Sequence, residues 1–118
     1  HAALAFGSNY LITLVAQATE LLTAAGIEHP RRLIGPLLGA SLDNALRLGD
    51  QALTGPVARG DADCVAAHLR TIGAVSADAA DGYRALARVT AIRAVTAGLL
   101  PAAKAEPLLD VLADRGRP

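Results

Sequence analysis

Apolar residues recur at helical spacing along nearly the whole chain, and no stretch alternates long enough to make a convincing strand. In residues 2–26, Leu4, Ser8, Leu11, Val15, Ala18, Leu22 and Ala25 follow alternating steps of four and three, which lays them on one stripe of a long helix. Gly26 is its natural stop. Beside that stripe runs a strip of short side chains, Ala2, Ala5, Asn9 and Ala16, where another helix or a ligand can come close. A second helix is expected over 31–48, opened by Pro30 and faced with Leu33, Ile34, Leu37, Leu38, Leu42, Ala45 and Leu46. Pro36 should kink it or mark its true start, because proline has no N–H to give the preceding turn. Gly35 and Gly39, four apart, read as tight packing, and Gly49 ends the helix.

The stretch "LTGPVARGD", residues 53–61, breaks this pattern and reads as a connector. Asp61 should cap a third helix that buries Val65, Ala66, Leu69 and Ile72 and stops at Gly73. A fourth helix is expected over 77–98, with Tyr83, Leu86, Ala87, Thr90, Ala94 and Ala97 on one face. A last one, over 102–114, carries Leu108, Leu109, Val111 and Leu112, with an interruption near Pro107. The tail "DRGRP" is polar and expected to fray. The fold class is therefore all-α, a bundle of about five helices with a long first helix.

Composition narrows the picture. Of the 118 residues, 53% are apolar but only 3% aromatic, and Met and Trp are absent, so the core must be built from Ala, Leu, Val and Ile. Eleven basic residues balance eleven acidic ones; without a basic excess or stripe, a nucleic-acid partner is not expected. The single cysteine, Cys64, has no internal disulfide partner, and no Cys/His pair stands at zinc spacing. The apolar runs are too short and interrupted to span a bilayer, and no signal peptide is visible, which together point to the cytoplasm. The absence of Met even at position 1 reads as a domain taken from a longer polypeptide, residues 1–118 forming one helical unit of it.

Two places carry candidate chemistry. At the start of the first helix, His1 and Asn9 share a face, with Ala5 between them and Ser8 at its edge. An imidazole and an amide bordering a gap of small side chains suit a carbonyl or hydroxyl substrate. Equally, Asn9 can tie down a loop and His1 can be a frayed end. In the connector, Gly55 and Gly60 permit unusual backbone shapes, and Arg59 beside a helix N-terminus suits a carboxylate or phosphate. The plainer alternative is that Asp61 caps the helix and Arg59 pairs with it or faces water. The "RGD" triplet is not read as an adhesion motif. Asn44 reads as an interhelical bridge, His68 as a surface or half-buried residue, Cys64 as a small apolar group, and Tyr83 with Arg84 as packing plus a surface charge.

Taken together, "HAALAFGSNYL", "LDNAL", "ALTGPVARGDADCVAAHL" and "YRALARVT" resemble a family of helical domains of unassigned function that follow a Rossmann-like NADP-binding domain in bacterial oxidoreductases. The resemblance covers roughly residues 1–95. The family is similar in architecture to the C-terminal helical domains of 6-phosphogluconate dehydrogenase and ketopantoate reductase, whose long first helix faces the nicotinamide across a cleft. The resemblance implies an NADP-linked reduction of a small 2-oxo acid, ketopantoate being one option, with NADP bound mainly by the other domain and with homodimerisation through this one. By residue, it implies Asn9 and His1 as catalytic groups and Ser8, Asn9, Thr54, Gly55, Arg59 and Asp61 as substrate contacts. The better-known reductases carry a Lys one turn before the helix Asn; here Ala5 stands there, so His1 or a group outside the chain must do the proton work. Cys64 replaces a frequent Thr and is not expected to be essential. The alternative to the enzymatic reading is a non-catalytic helical dimerisation or interaction module.

Overall fold

A computed structural model describes residues 1–113. Among them there are only helices and connections: α1 (Ala2–Ala24), α2 (Pro30–Leu48), a 3-10 turn (Gly49–Ala52), α3 (Gly55–Arg59), α4 (Ala62–Val75), α5 (Ala77–Thr96) and α6 (Ala102–Leu112). The all-α class is the one the spacing predicts. The chain divides into two compact units, His1–Ala40 and Ser41–Pro118.

The first unit holds α1 and the opening turns of α2. Gly26 ends α1 as expected: at φ +91 it turns the backbone so that its own N–H reaches Thr23 O at 3.0 Å and that of Ile27 reaches Leu22 O at 3.1 Å. This is the double closure of a Schellman motif, and a side chain at that φ would strain it. Neither α1 nor α2 contains a buried residue. Along the α1 stripe, Leu4 is 77% exposed and Leu11 44%, while Val15, Ala18 and Leu22 are half-buried. The spacing was sound for a helix but carried no information about which surface covers it. Helix α2 starts at Pro30 and runs on through Pro36, so Pro36 does not mark its start. The carbonyl that Pro36 cannot satisfy belongs to Arg32, an exposed residue that water can reach.

The second unit has the core. Val57, Val65, Ala87, Ala91, Ala94, Leu100, Ala105, Leu108 and Leu112 form one buried cluster, with Leu53, Leu69, Tyr83, Val95, Leu109 and Val111 packed around it. Helices α4, α5 and α6 meet there, and α3 packs on α4 and α5. The face of α5 is largely the one expected, with Ala87 and Ala94 buried and Tyr83, Thr90 and Ala97 half-buried; Leu86 is the exception. Ala80, Ala87, Ala91 and Ala94 are buried while Leu86 stays 49% exposed. Alanine carries too little bulk to hold helices apart, so the alanine side takes the crowded interface between α4 and α6.

Three boundaries also differ. Gly73 does not stop α4, which continues to Val75; the break comes at Ser76, whose Oγ accepts from Ala79 N at 3.1 Å and caps α5. The next helix's cap, not the glycine, is the stronger signal. Pro107 lies inside α6 without interrupting it, and the helix ends at Leu112, its last carbonyl accepting from Arg88 Nη2 at 3.2 Å. The connector contains a short sixth helix, α3, which Pro56 helps start. It closes at Gly60, where φ is +71 and an added Cβ would lie 3.0 Å from Leu100 Cδ1 and 3.1 Å from Lys104 Cβ. Gly60 therefore lets the α3–α4 corner sit directly on α6. Asp61 caps α4 as predicted, its Oδ1 accepting from Cys64 N at 3.1 Å.

Candidate functional site

The predicted site residues fall in both units. His1, Ser8 and Asn9 belong to the first, and Thr54, Gly55, Arg59 and Asp61 to the second. His1 is the N-cap of α1 but makes no capping bond with its side chain. Ser8 and Asn9 are exposed, and neither side chain makes a hydrogen bond among the described residues; Thr13 Oγ1 donates to the Asn9 backbone carbonyl at 3.5 Å. The Asn9 amide therefore does not tie down a loop among the described residues. At a rise of about 1.5 Å per residue, His1 and Asn9 stand roughly 12 Å apart along the axis. Apolar groups flank them: Phe6, 69% exposed, meets Tyr10, 57% exposed, edge to face at 5.3 Å between ring centroids.

In the second unit, Thr54 precedes α3 in an extended conformation without a capping bond, and Gly55 has φ +89. Arg59 closes α3 instead of standing in irregular chain. It is exposed and makes no ion pair among the described residues, so of the two plain alternatives it faces water. Asp61 is spent on its cap.

Thr54 also belongs to an arrangement that the sequence did not reveal. A hollow of about 470 Å³ opens where the end of α2, the 3-10 turn and α5 meet, lined by Ser41, Asn44, Asp50, Leu53, Thr54 and Arg93 among others. Arg93 Nε donates to Asp50 Oδ1 at 2.8 Å, and Gln51 Nε2 donates to Ala97 O at 3.3 Å, so two polar contacts hold the turn against α5. Asn44 turns its Oδ1 to Arg47 Nη2 at 2.7 Å, and Arg47 Nε meets Asp43 Oδ2 at 3.0 Å. Asn44 thus bonds within its own helix instead of bridging helices.

A second cluster joins residues that the sequence presents separately. His68 lies 3.6 Å from Cys64 Sγ through Nε2 and 3.1 Å from the Tyr83 hydroxyl through Nδ1, with the two rings near perpendicular. Cys64 is half-buried. Arg84, next to Tyr83, is not the surface charge expected: its side chain is 21% exposed and its Nε is buried without a partner. Among the described residues no three His, Cys, Asp or Glu side chains gather closely enough to hold a metal ion, and no helix is long and apolar enough to cross a membrane.

Residues 1–90 match the family described as "Domain of unknown function (DUF2520)". The chain belongs to that family. No curated protein and no solved structure matches it. The DUF2520 match takes in α1 through α4 and most of α5, hence all seven predicted site residues and the Cys64–His68–Tyr83 cluster. It stops three positions short of Arg93.

The Tyr83 phenol is pushed above its ordinary value of 10.0, first by burial and then by the neighbouring Cys64 thiol. A raised value means that the fold favours the neutral phenol. That stabilisation is fully present below pH 10 and is lost as pH rises through the folded-state value. Unfolding in urea between pH 9 and 11.5 is therefore expected to show wild type losing more stability than Tyr83→Phe. Parallel losses would mean that the phenol contributes nothing.

Proposed function

We propose that this chain is the substrate-binding and dimerisation domain of an NAD(P)-dependent oxidoreductase that reduces a small 2-oxo acid, ketopantoate being one option. The observation that carries the reading is the state of α1. Within the family-matched stretch it offers an unbonded hydroxyl and amide, Ser8 and Asn9, set among apolar side chains that this chain leaves uncovered. A helix so built is suited to be one wall of a pocket whose other wall is a different polypeptide surface.

The chemistry fits in part. The Asn9 amide N–H can hold a carbonyl oxygen, and Ser8 can reach an adjoining oxygen of the same acid. With Ala5 one turn before Asn9, no cation stands there, and His1 is two turns away. The proton donor is therefore His1 acting at a distance through water, or a group on the cofactor's domain. The described residues do not fit a dinucleotide: they contain no strand leading into a glycine-rich turn, the cradle such a cofactor uses. NADP is accordingly assigned to a domain joined to this one, and what this chain supplies is binding and orientation.

The coding region upstream is expected to specify a strand followed by G-x-G-x-x-G. In the parent protein, Asn9→Ala should lower kcat/KM for ketopantoate or a related 2-oxo acid by about a hundredfold, the usual cost of losing a donor to the reacting oxygen. His1→Gln should be much milder if the proton comes from elsewhere. Reductase turnover by the 118-residue chain alone would refute this division of labour. A second reading, a helical dimerisation module without catalytic duty, is favoured by the same uncovered faces. It takes the lead if no nucleotide-binding sequence lies upstream.

A further inference from the structure

We infer that the hollow between the end of α2, the 3-10 turn and α5 binds the carboxylate of a small organic acid, with Arg93 as the receiving group. The site shares only Thr54 with the residues of the redox reading and does not depend on it.

The first argument is the way Arg93 is held. Its Nε is engaged by Asp50 at 2.8 Å, and the two residues are 43 positions apart, so the contact is made by tertiary structure and not by a helical neighbour. The side chains are 58% and 38% exposed, and an ion pair so wet contributes little stability. What the contact does is orient the guanidinium. Its two terminal nitrogens make no hydrogen bond among the described residues. They form a planar pair of donors, the shape that receives both oxygens of a carboxylate.

The second argument is the surplus of donors. The Asn44 oxygen is taken by Arg47 at 2.7 Å, which fixes the amide and leaves its NH2 to give. Ser41 and Thr54 line the same hollow with hydroxyls that make no side-chain bond among the described residues. The nearby charges cancel in pairs: Asp50 with Arg93, Asp43 with Arg47. A carboxylate thus meets donors without a net repelling field, whereas an ammonium group would find only Asp50, already engaged.

The third argument is shape. About 470 Å³ is within the usual range for small-molecule sites, and Ala45, Ala52 and Leu53 give the hollow an apolar part. A monocarboxylate with a short branched hydrocarbon body matches both features.

The test uses the 118-residue chain and one probe, isovalerate, followed by amide shifts in NMR, with isovaleramide as the uncharged isostere at matched ionic strength. Saturable shifts centred on Asp50, Thr54 and Arg93 are expected with isovalerate and not with the amide. Arg93→Gln should weaken binding by about tenfold or more, the worth of a charge-assisted pair of hydrogen bonds. Thr54→Val leaves the ion pair in place and should weaken it a few-fold, so the outcome does not hang on how well Arg93→Gln folds. No saturable shift, equal binding of isovaleramide, or wild-type affinity in both variants would each overturn the site. Since no nucleotide is present, none of these outcomes bears on the redox reading, and failure of the reductase assay would leave this site untouched.

Discussion

Leu108→Ala is expected to lower the stability of the second unit by about 3 kcal/mol, within the usual range for a truncated core leucine. Leu108 is fully buried, and half of the eight residues it shares the buried cluster with, Ala87, Ala91, Ala94 and Ala105, are alanines; among the described residues only Val65 and Leu112 are also large and fully buried. In such a core one leucine supplies an unusual share of the apolar area. The alanines among its neighbours cannot lean into the gap, because alanine has no rotamers to change. The lost side chain therefore leaves a cavity instead of a collapse. Small domains are stable by only about 5–15 kcal/mol in total, so the loss is a large fraction of what holds the unit together. Urea unfolding should show a lower midpoint with an unchanged slope. A loss below about 1 kcal/mol would mean that the site relaxes and that the alanine interfaces are not as rigid as their burial implies.

The same alanines explain what could be read in advance. Spacing of Ala, Leu and Val was enough for the all-α class and for most helix ends, and Asp61 and Gly26 declared themselves through local chemistry, a side-chain cap and a positive φ. Which side of α5 faces inward was legible except at Leu86. Ala87 and Leu86 both count as apolar, and only the packed structure shows that the crowded side takes the smaller one. The short α3 was hidden because Gly55 and Pro56 read as breakers, although proline at a first turn also begins helices. The hollow was out of reach for a different reason. Asp50 and Arg93 are ordinary charges far apart in sequence, and nothing local to either signals that a 3-10 turn brings them together. Cys64 and His68 are four apart on α4, but the sequence presents them separately, and the third member, Tyr83, comes from α5. For the candidate site on α1, the sequence placed Ser8 in the helix stripe and Asn9 in the strip of short side chains beside it; that both are exposed is legible only in the structure.

Exposure on α1 and the start of α2 leads to the other large effect. Leu4, Phe6, Ile12, Leu33 and Leu37 are each between 58% and 77% exposed. Burying one such side chain is worth about 1.5–3 kcal/mol, so leaving five in water is a strong drive toward association. If the faces serve a homodimer, light scattering should give twice the 12.0 kDa of the chain. The double variant Leu4→Glu with Phe6→Glu should return it to a monomer. The sign follows from where the charges would lie: on a solvent-facing helix two glutamates near the N-terminus are harmless or mildly favourable. In an apolar interface each would be an unpaired buried carboxylate, which that interface cannot tolerate. Helix content by circular dichroism should be unchanged if each chain keeps α1 folded on its own, and should fall if α1 needs its partner to remain helical, since α1 buries no residue within the chain. A wild-type chain that stays monomeric up to millimolar concentration would remove the dimer from the proposal and leave the proposed cofactor-bearing domain as the candidate to cover α1.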